Sequence, residues 1–298
     1  MLKIVEKFKY AIAISLVVIL IGVVALAING GFALDVEFAG GMTMYVDMGT
    51  EVDLEELGAF VEANTPINVN PVVQRSDGTQ VIIKTLPIDT EARDTLQNAL
   101  FEKYELNEEA ILQVDNVSAT VGDELKQQAL LATLVATILM LIYIAIRFEF
   151  RTGLAAVICL IHDVLIMLTV YAVLQIPVNT NFIAAVLTIV GYSINNTIVV
   201  FDRIRENYAK NKRADYADIV NTSIKQTLGR SINTTVTTLL PVVMLFIFGV
   251  LSIRQFTIPL MAGLIAGTYS SVLLAGPLWA FMKEAQAKRK QKKLRYNK

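Results

Sequence analysis

The chain alternates long apolar runs with shorter polar segments. Six runs approach or exceed the roughly 20 residues that an α-helix needs to cross a bilayer. They are Tyr10–Ile28, Ala129–Ile146, Gly153–Leu174, Phe182–Phe201, Ser231–Val250 and Thr257–Met282. The first run is longer than the apolar part of a typical signal peptide and lacks a nearby small-x-small cleavage site, so we expect it to stay as an anchor. The pattern predicts an α-helical polytopic membrane protein with six transmembrane helices.

The segment between the first two runs has a shorter period. Strands are predicted at Met42–Met48, Asn68–Arg75, Thr79–Leu86 and Ala110–Val117, with helices at Asp53–Asn64 and Thr90–Tyr104 and a turn at Ser76-Asp77-Gly78. The order β-α-β-β-α-β is that of a ferredoxin-like α+β domain. We therefore expect an inserted domain at 29–127, after the first helix at 1–28 and before helices two to six at 128–282 and a basic tail at 283–298.

Composition narrows the class of protein further. Of 298 residues, 54% are hydrophobic and only 18% are charged, which excludes an ordinary soluble globule and a disordered chain. The single cysteine, Cys159, excludes a disulfide framework, and the single histidine, His162, excludes a multi-histidine metal centre. A nucleotide-binding Gly-x-x-x-x-Gly-Lys-[Ser/Thr] loop is absent from the sequence. We expect no enzyme activity, no cofactor and no nucleic-acid partner.

The net charge of −1 conceals two opposite blocks. Between Asn29 and Lys126 there are 19 acidic and five basic residues, which leaves the rest of the chain strongly positive. If the N-terminus is cytoplasmic, 20 of the 26 Lys and Arg residues lie on cytoplasmic segments. The positive-inside rule therefore places both termini in the cytoplasm and the inserted domain outside. The basic tail is either a topology anchor or a docking surface for an anionic partner.

Ionisable and polar residues within the spans are the candidate functional sites, because burying them in lipid is costly. His162-Asp163 lies near the middle of span three, where Asp163 is either a packing residue or a carboxylate that binds a proton or cation. Span four carries Gly191 and a polar face with Ser193, Asn196 and Thr197, either interhelical packing contacts or part of an ion site.

Span five carries Arg230 and Thr234 on one face, with Arg230 either a snorkelling anchor or part of an ion site. Because spans four and five are antiparallel, Asn196 and Thr234 are expected at similar depth. Their two polar faces are therefore predicted to meet.

The chain resembles the SecF family, which belongs to the resistance-nodulation-division transporter superfamily. The resemblance covers almost the whole chain and is most specific in Val190–Asn207, which includes the charged motif residues Asp202, Arg203 and Arg205. Supporting stretches are His162-Asp163-Val164, Arg230–Thr235 and Phe38–Gly41, and Val117–Gly122 before span two matches more loosely. The resemblance implies a partner, SecD, association with the SecYEG channel and indirectly with SecA, and an exported unfolded polypeptide as substrate. It also implies use of the proton motive force, or sodium in some members, in the bacterial cytoplasmic membrane.

Three stretches depart from the family pattern. In the stretch that ends in Gly40-Gly41, Glu37 replaces the usual Asp, and Asp35 replaces the first Gly. The stretch that ends at Gly122 lacks the usual Gly-Pro. Asn196 replaces the family's proposed proton-carrying Asp, although the matching Arg230 and Thr234 are retained.

The Asn196 substitution leaves three hypotheses for coupling. Asp163, or a carboxylate of SecD, pairs with Arg230 and carries the proton. Alternatively, sodium binds through Asn196, Ser193, Thr234 and a carboxylate oxygen. In the third, coupling is weak and the chain is a structural assembly subunit. A small-molecule or lipid exporter of the same superfamily is a further rival, disfavoured by the small inserted domain.

Overall fold

The computed structural model describes residues 3–66, 71–249 and 251–296 and is mostly helical. Six of its helical segments are long and apolar enough to cross a membrane. The helices are α1 (Phe8–Asn29), α2 (Val36–Ala39), α3 (Leu54–Ala63), α4 (Thr90–Tyr104), α5 (Ala119–Arg147), α6 (Phe150–Leu174), α7 (Thr180–Lys210), α8 (Tyr216–Phe248), α9 (Leu251–Ser270) and α10 (Gly276–Tyr296). A π-helical turn, Ser271–Ala275, joins α9 to α10, so these form one continuous sixth span.

The six predicted spans are confirmed as helices, and the chain is a multi-pass membrane protein. Two helices are longer than their apolar runs. Helix α7 continues past Phe201 to Lys210, and α8 begins at Tyr216, well before the predicted Ser231. Hydropathy detects only the part of a helix that lies in lipid, and no proline interrupts these charged extensions, so both helices continue beyond it. The predicted end of span five, Val250, lies outside the described residues.

A four-stranded antiparallel sheet lies between α1 and α5. Its strands are β1 (Gly41–Asp47), β2 (Val72–Asp77), β3 (Gln80–Thr85) and β4 (Ile111–Val117), in the order β2-β3-β1-β4. Met44 of β1 pairs with Ile83 on one side and Val114 on the other. Alternate residues face α3 and α4, where Met42, Met44, Val46, Val81, Ile83, Leu57, Val61, Leu96 and Leu100 are almost fully buried. The period-two pattern thus gives this sheet one apolar face.

Most of the expected elements of this segment are confirmed within a residue or two. Asp53 and Asp89 accept backbone hydrogen bonds at the N-termini of α3 and α4, which is why both helices begin there. The predicted Ser76-Asp77-Gly78 turn is wrong, because β2 continues to Asp77 and the turn lies at Gly78 and Thr79. Residues 68–70 of the predicted second strand lie outside the described residues.

The connections between the sheet and the membrane helices are tightly packed. Gly41 has φ +150°, and a side chain there would collide with the Thr85 carbonyl. A Cβ at Gly122 would lie 3.0 Å from the Phe38 carbonyl oxygen and 3.2 Å from the Gly40 nitrogen. Glycines at these positions therefore let the start of α5 lie directly against the segment that leads into β1.

Candidate functional site

Asp163 of α6 lies at the centre of a buried hydrogen-bond network. Its side chain is 0% exposed. Ser193 of α7 and Ser270 of α9 donate hydrogen bonds to Oδ2 at 2.5 and 2.8 Å. His162 Nδ1 lies 2.8 Å from Oδ1. One carboxylate therefore joins three membrane helices, and both of its oxygens have a partner.

The network extends from His162 to α1. The other ring nitrogen, Nε2, lies 2.8 Å from Ser15 Oγ. The imidazole also stacks on Tyr269, whose hydroxyl donates to the Ala11 carbonyl at 2.7 Å. If Nδ1 carries the imidazole proton, His162 donates to Asp163 and accepts from Ser15, so a continuous polar path runs from α1 to α7.

Two residues of α9, Gly267 and Ser270, shape the surroundings of Asp163. A Cβ at Gly267 would lie 3.3 Å from Ser193 Cβ and 3.6 Å from Asp163 Oδ2, so a glycine leaves room for the serine and the carboxylate. Ser270 immediately precedes the π-helical turn and also lies 3.2 Å from the Gly267 carbonyl. Its hydroxyl therefore has two acceptors within reach, Asp163 and Gly267. π-Helical turns occur frequently at functional sites.

The structure brings some of the candidate residues of span four into this region and leaves others apart. Ser193 contacts Asp163, and Thr197 shares a 2.9 Å hydrogen bond with Ser271 in the π-helical turn. Asn196 is 2% exposed, yet its side-chain nitrogen has no hydrogen-bond partner among the described residues. The Ser231 Oγ on α8 is also buried without a hydrogen-bond partner among the described residues.

The expected meeting of Asn196 with Thr234 is not found among the described contacts. The Thr234 hydroxyl donates instead to the Arg230 carbonyl of its own helix at 2.8 Å. The polar contact between α7 and α8 is made by Tyr192, whose hydroxyl donates to Thr235 at 2.7 Å, and Thr235 in turn lies 2.5 Å from Thr268 of α9. The two helices are rotated so that Thr235, not Thr234, faces α7.

Arg230 lies on the outside of the bundle. Its guanidinium makes no hydrogen bond or ion pair with any residue in the described part of the chain. Exposed residues recur at three- and four-residue spacing on α7 (Thr188, Gly191 and Asn195) and on α8 (Arg230, Asn233 and Thr237), and we call these two stripes together the open polar face. A Cβ at Gly191 would meet nothing within 4 Å. Contact between polar side chains and lipid hydrocarbon is energetically costly, so we expect another polar surface to pack against this face.

A second group of contacts ties the sheet to the membrane helices. Glu37 accepts from the backbone N–H of Thr180 at 2.9 Å and from its hydroxyl at 2.7 Å, at the first residue of α7. The Lys84 ammonium of β3 lies 3.1 and 2.9 Å from the two carboxylate oxygens of Asp35. Asp35 N–H also donates to the Val178 carbonyl at 3.0 Å. We call residues 33–37 the strap, because they touch the sheet and the start of α7.

At the opposite end of the bundle, the remaining motif residues form ion pairs. Asp202 of α7 pairs with Arg147 at the end of α5 at 3.1 Å and with Arg205 at 3.2 Å. Arg203 donates to Gln226 of α8 at 2.7 Å and pairs with Glu206. These contacts hold the ends of α5, α7 and α8 together. The described ranges contain no cluster of three His, Cys, Asp or Glu side chains suited to a metal ion.

A family profile described as the C-terminal part of the protein export membrane protein SecD/SecF matches residues 96–285. The protein translocase subunit SecF of Haemophilus influenzae is 38% identical over 278 residues, which is 91% of this chain and 82% of that protein. The protein translocase subunit SecDF of Bacillus subtilis is 46% identical over 179 residues, or 59% of this chain and 24% of the longer protein.

The crystal structure of SecDF, a translocon-associated membrane protein from Thermus thermophilus, has a similar fold. It superimposes with a TM-score of 0.84 at 34% sequence identity. The match covers 94% of this chain but only 38% of that longer chain. The likeness therefore extends over nearly all of this chain and over the smaller part of the relative.

Proposed function

This chain belongs to the SecF family of protein translocase subunits, and from that premise we propose that it pairs with SecD and uses an ion gradient to assist polypeptide export. In this proposal the complex associates with the SecYEG channel, into which SecA drives the exported chain. The chain would lie in the bacterial cytoplasmic membrane with both termini in the cytoplasm. The buried network around Asp163 is the observation that carries the coupling part of the proposal.

The open polar face supports the pairing with SecD. Arg230, Asn195 and Asn233 lie exposed on α7 and α8, and none of these side chains makes a hydrogen bond with a described residue. Because polar groups in lipid need partners, a second membrane subunit is the natural cover for this surface. Relatives in which SecD and SecF form one chain, such as the SecDF of B. subtilis, agree with this arrangement.

Asp163 is the residue we propose to take up and release the coupling proton. Asn196 does not titrate in the physiological range, which leaves Asp163 as the only carboxylate deep in the six described spans. A proton bound at Oδ2 of Asp163 would occupy a position on the oxygen that Ser193 and Ser270 both use as acceptor, so one of the two serine hydroxyls would turn away. Ser270 can do so, because the Gly267 carbonyl is a second acceptor at 3.2 Å. Protonation would then loosen the contact between α6 and α9.

The arrangement favours a proton over sodium. The sodium hypothesis requires oxygens of Asn196, Ser193 and Thr234 around one ion. Ser193 is bonded to Asp163, whereas Thr234 is bonded to its own helix on another side of α8. Sodium prefers several converging oxygen ligands, and the described contacts do not bring these three residues together.

The strap is the proposed route from the ion site to the inserted domain. Helix α7 carries Ser193 at mid-length and is held at its first residue by Glu37. The same strap is held to β3 by the Asp35–Lys84 ion pair. A shift of α7 on protonation of Asp163 would therefore move the strap and, through the strap, the sheet. We assign this domain, 29–127, to the ferredoxin-like arrangement and to the outer side of the membrane, on the support of its element order and acidic charge.

Preprotein export into vesicles that contain the chain, SecD and SecYEG tests the proposal. A proton gradient or a sodium gradient is imposed separately, and Asp163→Asn and Arg230→Met are compared with the parent and with Thr197→Val. We expect the proton gradient to speed export at least severalfold, and Asp163→Asn to remove that gain while Thr197→Val keeps it. Thr197 is a matched control, since it is buried on α7 and bonds to Ser271 and not to Asp163.

A non-coupling assembly subunit is the second candidate, and Asn196 is the observation that favours it. It predicts that neither gradient nor Asp163→Asn changes export, although removing the chain lowers it. A half-transporter for small molecules or lipids would leave preprotein export unchanged even when the chain is removed. These outcomes separate the three functions.

A further inference from the structure

Two cavities are lined by residues of α6 and of α10, and we call them together the groove. Its outer part is a cavity of about 450 Å³ at the end of the bundle that carries both termini. Arg151 and Leu154 line it on α6, and Phe281, Met282 and Arg289 line it on α10. This end of the groove is therefore basic at its rim and apolar along its walls.

The second cavity lies further along the same two helices, toward the buried network. It has a volume of about 310 Å³ and is lined by Ile158 and Ile161 of α6, Leu278 of α10 and part of α1. Ile158 lies one turn beyond Leu154, and Leu278 lies one turn beyond Met282, so the two cavities follow the same faces of the two helices. The inner cavity reaches Ser15 and His162, which are otherwise buried.

The charges at the rim are matched to an anion. Glu149 forms ion pairs both with Lys283, at 2.7 Å, and with Arg151, at 3.5 Å, so one carboxylate is shared between two cations. Arg289 forms no ion pair within the described ranges, and Lys288 beside it is also exposed. The first turn of α6 has no side-chain cap, so its N–H groups add to the positive potential. A guanidinium pair at this depth suits a phosphate group.

We propose that the groove binds an anionic phospholipid, with its phosphate between Arg151 and Arg289 and an acyl chain in the inner cavity. Exposed aromatic side chains mark the rim, since Phe150 is 81% and Phe281 is 64% exposed. Long arginine side chains near helix ends extend to the headgroup region, so Arg151 in the first turn of α6 places this rim at lipid headgroup level. The inner walls are almost entirely apolar, so they suit a hydrocarbon chain and not a soluble anion. An acyl chain there would shield Ser15 and His162 from water.

Lipid binding in this groove does not require that Asp163 take up or release a proton. A lipid held in this groove would touch α1, α6 and α10, the helices that surround His162 on its membrane side. The lipid composition of the membrane would thus act directly on the surroundings of the network.

Quenching of tryptophan fluorescence by brominated lipids tests the site in the W279F/F281W chain, because Phe281 lines the outer cavity and is 64% exposed, whereas the native Trp279 is 4% exposed and lines neither cavity. The full chain is placed in phosphatidylcholine vesicles with small, equal fractions of brominated phosphatidylglycerol or brominated phosphatidylcholine. Two arginines facing an anionic headgroup are expected to favour phosphatidylglycerol by about 10- to 30-fold in relative affinity. The double variant R151Q/R289Q should lower this preference to about one- to threefold, and R151K/R289K should retain most of it.

The matched control is K212Q/R213Q, which removes two exposed positive charges from the α7–α8 connection. Retention of the preference in this control and its loss in R151Q/R289Q would support the proposal. Equal quenching by both lipids in the parent, an unchanged preference in R151Q/R289Q, or an equal loss in both double variants would overturn it. Near-unchanged thermal unfolding of R151Q/R289Q serves as the check that the variant is folded, and R151K/R289K decides the question if it is not.

Discussion

Glu37 and Thr180 are joined by two hydrogen bonds to one carboxylate oxygen, Glu37 Oε2. Glu37 lies in the strap, and Thr180 is the first residue of α7. Asn179, the residue before the helix, makes no capping hydrogen bond of its own. A side chain 143 residues away in sequence therefore caps the helix that carries Ser193, which makes the strap part of the membrane bundle.

Removing this cap should destabilise the protein measurably. We expect Glu37→Ala to lower the free energy of unfolding by about 0.5–2 kcal/mol, because the first N–H of α7 loses its acceptor and the helix dipole loses a nearby negative charge. The aspartate side chain is shorter, so Glu37→Asp should be less harmful than Glu37→Ala only if the strap moves closer to Thr180. Thermal unfolding of the full chain in micelles measures the effect. Glu62→Ala is the control, since Glu62 is an exposed residue of α3 without a described ion pair, and an equal loss in both variants would contradict the capping role.

The Asp35–Lys84 ion pair should show strong coupling in a double-mutant cycle. Both side chains are mostly buried, at 7% and 17% exposure, so removing one partner leaves the other charge poorly solvated. We expect Asp35→Asn or Lys84→Met alone to cost about 3 kcal/mol, and the double variant to cost little more than the larger single change. Additive losses in unfolding experiments would show that the two charges do not stabilise each other.

The Asp47–Thr79 contact predicts a pH-dependent stability. The Thr79 hydroxyl, at 2.6 Å, and the Gly49 N–H, at 3.0 Å, hold the pKa of Asp47 below its usual value. A lowered pKa in the folded state gives stability that is present above the unfolded pKa and is lost as the pH falls. Thr79→Val should therefore lower the unfolding temperature at neutral pH, and the difference should narrow below about pH 4.

Thr95→Val is the control for this pH series. The Thr95 hydroxyl is exposed and donates to the Glu91 backbone carbonyl, not to a carboxylate. Its effect on the unfolding temperature should be the same at neutral and acidic pH. If the Thr79 variant shows the same pH-independent difference, Asp47 is not the cause.

Sequence patterns were sufficient for the six spans and for most of the sheet, because apolar runs and alternation reflect burial directly. They also pointed to Asp163, since a carboxylate in a span is conspicuous. They did not show which residues surround it. Ser15 is a single polar residue in the first apolar run, a signal that would have drawn attention to it. Ser270 depends on the local geometry at the π-helical turn, which no periodicity reveals.

The relation between α7 and α8 shows why spacing alone misleads about contacts. Equal depth placed Asn196 opposite Thr234, but the contact formed is between Tyr192 and Thr235. Depth fixes the level of a residue in the bilayer, whereas the rotation of each helix about its axis is set by side-chain packing. Arg230 and Thr234 consequently lie away from Asn196, and Arg230 joins the open polar face.

The hydroxyl of Ser270 provides a separate prediction about the network. In the proposal, the Ser270 hydroxyl donates to Asp163 when Asp163 is ionised and to the Gly267 carbonyl when Asp163 is protonated. Ser270→Ala removes the hydroxyl, so both protonation states lose this hydrogen bond. We expect gradient-stimulated export to fall about 10-fold, as for loss of one charge-assisted hydrogen bond of roughly 1.5 kcal/mol. Ser271→Ala is the matched control, since Ser271 bonds to Thr197 and Gly267 and not to Asp163. An equal fall in both variants would assign the effect to packing of the π-helical turn.

The central claim is that Asp163 gains and loses the coupling proton, and infrared difference spectroscopy of the complex with SecD tests it most directly. Spectra are recorded while the pH is changed, and the carbonyl stretch of a protonated carboxylic acid is followed. The account predicts a band that appears on acidification, is absent in Asp163→Asn and remains in Thr197→Val. A spectrum in which Asp163→Asn leaves every titrating carboxylic band unchanged would contradict it.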